Sequence, residues 1–385
     1  MTTAQETFSG TAPVQERHRF DNDALAAYLE KHIDGFKGPL AIEQFKGGQS
    51  NPTFRLSANG QRYVMRAKPA PVAKLLPSAH AIEREYRIMG ALAQVGIPVP
   101  RMLCLCEDES VIGRAFMVME CVEGRIFWQQ DLPGMMPPER GAIYDAMNSV
   151  LAALHSADHK AIGLEDYGRP GNYFGRQIAR WSRQYRATET EVLPAMDNLI
   201  AWLPENIPPG DETSVVHGDY RMDNMIFHPT EPRVLALLDW ELSTLGHPLA
   251  DLSYQCMSWH VPPLAFRGIK GLDLAALGIP TQAEYVAAYC KSTGREAIAN
   301  WNFYLAYNMF RLAAILQGVK KRALEGTASN TQAASAGERA KPLGEKIINA
   351  VADERKLEEK FRCAAMTMLQ IRNAVSKRLP FRKGK

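Results

Sequence analysis

Two charged clusters, each issuing directly from a short apolar run, constrain this chain more than any other feature. In "VVHGDYRMDNMIF" the run Ser214 to Val216 delivers His217, Asp219, Arg221, Asp223 and Asn224. In "VLALLDWELSTLGHPLADL" the run Val234 to Leu238 delivers Asp239, then Trp240, Glu241, His247 and Asp251. A carboxylate at the tip of a buried strand is costly unless a cation or hydrogen-bond donors meet it. The pattern therefore predicts one polar site built from two loops. Asp219 and Asn224 are five apart, the spacing at which one loop aims a carboxylate at an attacking hydroxyl and an amide oxygen at a metal ion. Asp239 would add the second oxygen donor of a magnesium pair, bridging phosphate oxygens. A single Asp in a loop is usually a cap or turn residue, but that reading does not explain three donors on two loops that each follow a β run. His217 fits a hydrogen-bonding role that props its loop, because Asp219 can already take a proton. Asp251 reads as a buried anchor accepting backbone N–H groups. Glu241 either touches metal or faces solvent.

The chain around these clusters changes character along its length. Residues 1 to 37 read as an extension with one short helix around Ala24 to His32. From Leu40 to Met119 short β runs dominate. "TFRLSANGQRYVMR" is a hairpin turning at Asn59-Gly60, a pair that accepts the positive φ angles of a type I′ turn. Its second strand ends at Arg66-Ala67-Lys68, before Pro69. Ile82, Tyr86, Met89 and Ala93 then mark the buried face of a helix that also carries Glu85, and Gly96, Pro98 and Pro100 end it. "AFMVME" is a further strand, leading into Glu120, Cys121 and Val122. Beyond Gly124 the pattern turns helical, around Ile143 to Leu154, Gly175 to Arg186, Tyr285 to Cys290 and Trp301 to Arg322. Residues 326 to 337 are small and polar, a flexible connection before helical pattern resumes to about Lys377.

Composition narrows the partners. Lys+Arg 45 against Asp+Glu 42 gives a formal charge of +3, too balanced for bulk attraction to nucleic acid or a membrane surface. The six cysteines form no C-x-x-C pair, so reduced, mostly buried thiols are expected rather than zinc or dithiol chemistry. Cys104 and Cys106, two apart in an apolar run, would share one strand face. "MTTAQETFSG" lacks the basic start and apolar stretch of a secretory signal. The charge-free run Leu252 to Phe266 is too short to span a bilayer and contains Pro262 and Pro263. A cytoplasmic protein with no nucleic-acid or membrane partner is expected.

"HGDYRMDN" followed by "LLDWE" resembles the aminoglycoside phosphotransferase and choline kinase superfamily, small-molecule relatives of protein kinases, over roughly residues 38 to 320. The resemblance implies an α+β, two-lobed protein-kinase-like fold. Residues 38–122 would form a small β-sheet-plus-helix lobe that binds nucleotide, and residues 123–385 a helical lobe with the catalytic loop and substrate site. ATP and Mg2+ would be the cofactors, Asp219 the catalytic base, and Asn224 and Asp239 the metal ligands. The same mechanism needs a strand-borne cation on the α and β phosphates, fixed by a helix Glu. Arg66 stands where the usual lysine would, with Glu85 on the next helix, but Lys68 on the same strand face is the alternative cation. "FKGGQSNPTF" takes the place of the phosphate-covering loop without the usual G-x-G-x-x-G. Gly47 and Gly48 permit close backbone approach, and Ser50 and Asn51 offer donors. Glu120 to Val122 would present backbone groups to adenine.

The acceptor is read from other segments. "GRQIARWSRQYR" carries Arg176, Arg180, Trp181, Arg183 and Arg186, which suits an anionic acceptor better than a polycationic aminoglycoside. A solvated basic helix face accounts for it equally well. "LHSADHKAIGLEDYGRPGNYFGRQIARW", with "NPTFRL", "SAHAIEREYR" and "FRLAAILQGV", is similar to the kinase-like domains fused to, or encoded near, acyl-CoA dehydrogenases. That resemblance implies phosphorylation of a 4-hydroxyacyl-CoA and functional association with such a dehydrogenase. A kinase of choline, homoserine, a sugar or an aminoglycoside is the alternative within enzymes. A nucleotide-binding regulatory pseudokinase is the alternative outside them, opposed by the filled base and metal positions. The basic C-terminal "SKRLPFRKGK" reads as a solvated tail.

Overall fold

Alternation builds the first sheet. Phe54, Leu56 and Ala58 on one strand and Met65 and Ala67 on the next turn inward and are buried, while Arg55, Ser57, Arg62 and Arg66 take the other face. The computed structural model describes residues 10–46, 51–69, 81–190, 192–263 and 268–325. Six strands form this antiparallel sheet: β1 (Thr11–Ala12), β2 (Leu40–Phe45), β3 (Thr53–Ala58), β4 (Gln61–Ala67), β5 (Met102–Cys106) and β6 (Phe116–Glu120), in spatial order β1-β2-β3-β4-β6-β5. Asn59 and Gly60 adopt φ of 49° and 73°, and Ala58 faces Gln61, so the turn has the positive-φ pair its sequence announces. Cys104 and Cys106 are both buried on β5, within the core of this sheet.

The stretch read as an extension is part of that core. Helix α1 (Asn22–His32) is capped by Asp21, whose carboxylate accepts from the backbone N–H of Asp23 and Ala24 at 3.0 Å each. Its Leu25 and Leu29 are fully buried and, with Ile33 and Phe36, pack among Phe54, Leu56, Met65, Phe116 and Val118. One leucine per turn is enough to bury a helix face even where the composition is polar. The expected boundary at residue 37 therefore falls inside the first sheet's core. Helix α2 (Ile82–Ala93) buries Ile82, Ile88, Met89 and Leu92, and also Glu85.

The chain divides into two units, each described by itself. The first comprises Met1–Tyr173, Gly210–Trp259 and Gly271–Ile298. Beyond the sheet and α2 it holds α3 (Pro137–Ser156) and two short antiparallel pairs. One pairs β7 (Ser214–Val216) with β10 (Thr244–Gly246); the other pairs β8 (Met225–Phe227) with β9 (Val234–Leu237). The second unit comprises Phe174–Pro209, His260–Lys270 and Ala299–Lys385. It is built on α4 (Tyr173–Thr188), α5 (Pro194–Glu205) and a long helix at Trp301–Leu324. The remaining helices of the first unit are α6 (Leu249–Cys256), α7 (Leu274–Leu277) and α8 (Gln282–Thr293), which makes the long helix α9. In the second unit Phe174 stacks edge-on against Phe303 and Tyr307 of α9, and Gln317 donates to the Thr188 carbonyl at 3.2 Å. Helices α5 and α6 lie outside the sequence reading. Prolines at 194 and 204 disguise the first, and every residue of α6 is buried, so it has no polar stripe to give it a period.

Candidate active site

The first charged loop leaves β7 at His217. Gly218 takes φ +83°, and a Cβ there would lie 2.7 Å from the Leu242 carbonyl oxygen, so only glycine allows this close approach. The Asp251 carboxylate, at the start of α6, accepts the backbone N–H groups of His217 (2.6 Å) and Gly218 (2.9 Å). Behind it the buried His155 of α3 reaches Asp251 Oδ2 at 3.4 Å. His217 is itself buried. Its Nε2 donates to the Leu238 carbonyl at 2.9 Å and its Nδ1 accepts from the Asp219 backbone N–H at 3.2 Å, so the ring ties the two loops together and leaves the Asp219 carboxylate to others.

That carboxylate meets Arg221 Nη2 at 3.0 Å and accepts from Asn224 Nδ2 at 3.0 Å. Asn224 Nδ2 also donates to the Asp219 carbonyl, at 2.9 Å. With its nitrogen committed twice, the amide presents its oxygen to any further ligand. Arg221 contacts Asp223 as well, at 3.5 Å. Burial alone would lower the pKa of the Arg221 guanidinium, but Asp223, Asp219 and, more remotely, Asp239 reverse the shift and hold it charged. Sequence reasoning gave Arg221 no role. Its place between two aspartates was the signal available.

The second loop turns at Asp239, which adopts φ 65°, ψ 62°, a left-handed conformation that Asp tolerates better than most residues. The Leu238 N–H donates to the Asn224 carbonyl at 2.8 Å, which sets Asp239 beside the first loop. Arg66 of β4 collects three acids: its Nε lies 3.1 Å from Glu85 Oε2, and its Nη2 lies 3.0 Å from Asp239 Oδ1 and 3.1 Å from Glu241 Oε2. Lys68 instead pairs with Glu83 at 3.1 Å. Asn51, fully buried, donates to Glu85 Oε1 at 3.2 Å. Burial, first, and the neighbouring Asp239 and Glu241 push the Glu85 carboxyl up to about 7 against the pull of Arg66.

The other candidate residues are placed as follows. Glu120 ends β6, with its side chain accepting from the Arg101 N–H at 2.9 Å, and Val122 lies in the irregular segment after it. Arg176, Arg180 and Trp181 lie on α4, in the second unit. Trp181 is 7% exposed, with the Arg180 and Arg311 guanidinium carbons 5.4 and 5.7 Å from its ring centre, while Arg186 is taken by Glu189 and Asp197. Ser50, Gly47 and Gly48, residues 326 to 337 and the C-terminal tail lie outside the described residues. Among the described residues no group of three His, Cys, Asp or Glu side chains forms a metal cluster. The Asn224 and Asp239 oxygens suit magnesium, which takes one or two protein oxygens and completes its shell with phosphate and water. No helix among the described residues is long and apolar enough to cross a membrane.

The model of the phosphotransferase enzyme family matches residues 41–301. A solved structure from Ralstonia eutropha JMP134, described provisionally as an aminoglycoside phosphotransferase, is 60% identical, with a TM-score of 0.79, and the match covers 87% of this chain and 99% of that one. A spectinomycin phosphotransferase solved with ADP and spectinomycin is 12% identical, with a TM-score of 0.59 over 88% of this chain and 98% of that one, a likeness of fold alone. Acyl-CoA dehydrogenase family member 10 of Mus musculus is 48% identical over 339 residues, 87% of this chain and 31% of the mouse protein. The chain thus spans less than half the length of the curated relatives it matches.

Proposed function

We propose, for a chain that belongs to the phosphotransferase enzyme family and so carries phosphoryl groups from ATP to a small-molecule hydroxyl, that the acceptor is a hydroxyacyl-CoA of the 4-hydroxy type and that Asp219 is the catalytic base. The observation that carries the mechanism is the convergence of Asp219, Arg221, Asn224 and Asp239 on two adjoining loops. Asp219 takes the proton as the acceptor oxygen bonds to the γ phosphorus and the bond to the ADP oxygen breaks. Arg221 and Asn224 hold its carboxylate in place, so it meets the hydroxyl without having to reorient. Arg66, positioned by Glu85, is the cation for the α and β phosphates. Asn224 and Asp239 would hold Mg2+, which when bound neutralises charge on the phosphate oxygens. Glu120 and Val122 would frame the adenine with backbone groups, and Ser50 and Asn51 would offer donors to the phosphates.

The acyl-CoA reading is supported by the likeness to an acyl-CoA dehydrogenase family member and by the exposed Arg180 near Arg176, a helix face able to meet phosphates. The same likeness supports a functional partnership with such a dehydrogenase, and the cytoplasm is proposed as its location. The Ralstonia relative favours a second reading, an aminoglycoside acceptor. An ADP-release assay over 4-hydroxyacyl-CoAs, aminoglycosides and choline separates them. Turnover confined to the hydroxyacyl-CoAs is expected, and turnover with aminoglycosides or choline alone overturns the acceptor. Asp219→Asn should lower kcat about 10²- to 10⁴-fold while MgATP still binds; full activity in that variant overturns the mechanism.

A further inference from the structure

We propose that Tyr167 is a positioning residue for phosphoryl transfer: its buried phenol bolts the helix that carries Glu85 to the turn that carries Asp239 and Glu241, and so fixes the three acids around Arg66. The inference rests on transfer from ATP through Arg66 and Asp239, and not on the identity of the acceptor.

The bolt is a short chain of atoms. The Tyr167 hydroxyl lies 3.2 Å from the Arg84 carbonyl and 2.8 Å from Ser243 Oγ, and Ser243 Oγ donates to the Trp240 carbonyl at 2.5 Å. Arg84 is the residue before Glu85, and Trp240 stands between Asp239 and Glu241. Two hydroxyl protons serve three acceptors: Ser243 gives its own to Trp240, and Tyr167 shares its own between Ser243 and Arg84. Tyr167 is 1% exposed and Ser243 4%, so no water competes for these bonds, and in a dry site a broken one is not replaced.

Arg84 closes the arrangement from the other side. Its Nη2 donates to the Tyr167 carbonyl at 2.8 Å, and its guanidinium carbon lies 4.2 Å from the phenol ring centre. One turn further along α2, Arg87 pairs with Asp166 and donates to the Gly163 carbonyl at 2.7 Å. Next to Tyr167, a Cβ on Gly168 would meet Thr244 Oγ1 at 2.4 Å and the Leu245 nitrogen at 2.5 Å, so the backbone here is pressed against β10. Asp166, Tyr167 and Gly168 thus all belong to a single clamp. This gives a physical role to the "EDYG" stretch, which the phosphotransfer chemistry itself leaves unexplained.

The test is a double-mutant cycle read on MgATP hydrolysis without acceptor. Tyr167→Phe removes one oxygen and keeps the ring. Its kcat is expected to fall about tenfold, with KM for MgATP changed less than about twofold. Glu85→Gln should fall at least as far, and the double variant should be no slower than Glu85→Gln alone, because both changes release the same guanidinium. A phenol that served only stability would lower the thermal midpoint and give losses that multiply. Multiplying losses, or an unchanged kcat in Tyr167→Phe, overturn the proposal. Should Tyr167→Phe not fold, Ser243→Ala breaks the same chain from its other end and must give the same cycle. Because no acceptor enters the assay, failure of the acyl-CoA reading leaves the result standing.

Discussion

Arg66 makes contacts that a lysine in its place could not. A planar guanidinium can meet several carboxylates at once along its edges, whereas an ammonium is a compact point charge, and Arg66 touches Glu85, Asp239 and Glu241 together. The sequence left Arg66 and Lys68 as rivals because residues two apart on a strand share a face. Only the placement of α2 separates them, sending Lys68 to Glu83. Asp219, Asn224 and Asp239 stood out as candidates because their loops follow apolar runs, whereas Arg221 had only its place between two aspartates to mark it and Ser243 had nothing. His247 bears a prediction of its own. Burial, chiefly, lowers its pKa from 6.5 to about 4. A histidine whose folded value is depressed contributes stability above its unfolded value that is lost as pH falls toward the folded one. The interval from 6.5 to about 4 corresponds to about 3 kcal/mol at most. Urea unfolding should therefore show stability falling between pH 6.5 and 4, and His247→Gln should flatten that limb.

Elements announce themselves when they have one wet face and one dry one. The hairpin at Asn59-Gly60 and helix α2 both do, and both are found where they were expected, although the buried face of α2 runs through Ile82, Glu85, Ile88, Met89 and Leu92, leaving Tyr86 half-buried and Ala93 exposed. Helix α6 is buried on all sides and gives no period. Helix α1 was legible as a helix, but its membership of the sheet's core was not, since which surface a leucine covers depends on strands far along the chain. That membership can be measured. Leu29 is fully buried, so Leu29→Ala should destabilise the first unit by roughly 2 to 5 kcal/mol, as for core leucines elsewhere. Equilibrium denaturation checks it, and a change below about 0.5 kcal/mol, the size of a surface substitution, would return α1 to the status of an appendage.

At the scale of the whole molecule, the candidate catalytic residues and the arginine-rich α4 belong to different units. Ligation by nucleotide should stabilise the first unit directly. At a hundredfold excess over its dissociation constant, MgATP is expected to add about 2.7 kcal/mol, visible as a higher thermal midpoint and as slowed hydrogen exchange in residues 51–69 and 214–246. ATP in EDTA should give little of either. The three-acid grip of Arg66 explains why. Asp219, Asp223, Asp239 and Glu241 face Arg66 and Arg221, a surplus of negative charge among these groups to which Glu85, its pKa raised to about 7, adds only in part. If these groups line the nucleotide site as proposed, a bare triphosphate would meet like charge there. Under the proposed function, a divalent ion held by Asn224 and Asp239 would be an escort first and a catalyst second, supplying the positive charge that the nucleotide needs to enter.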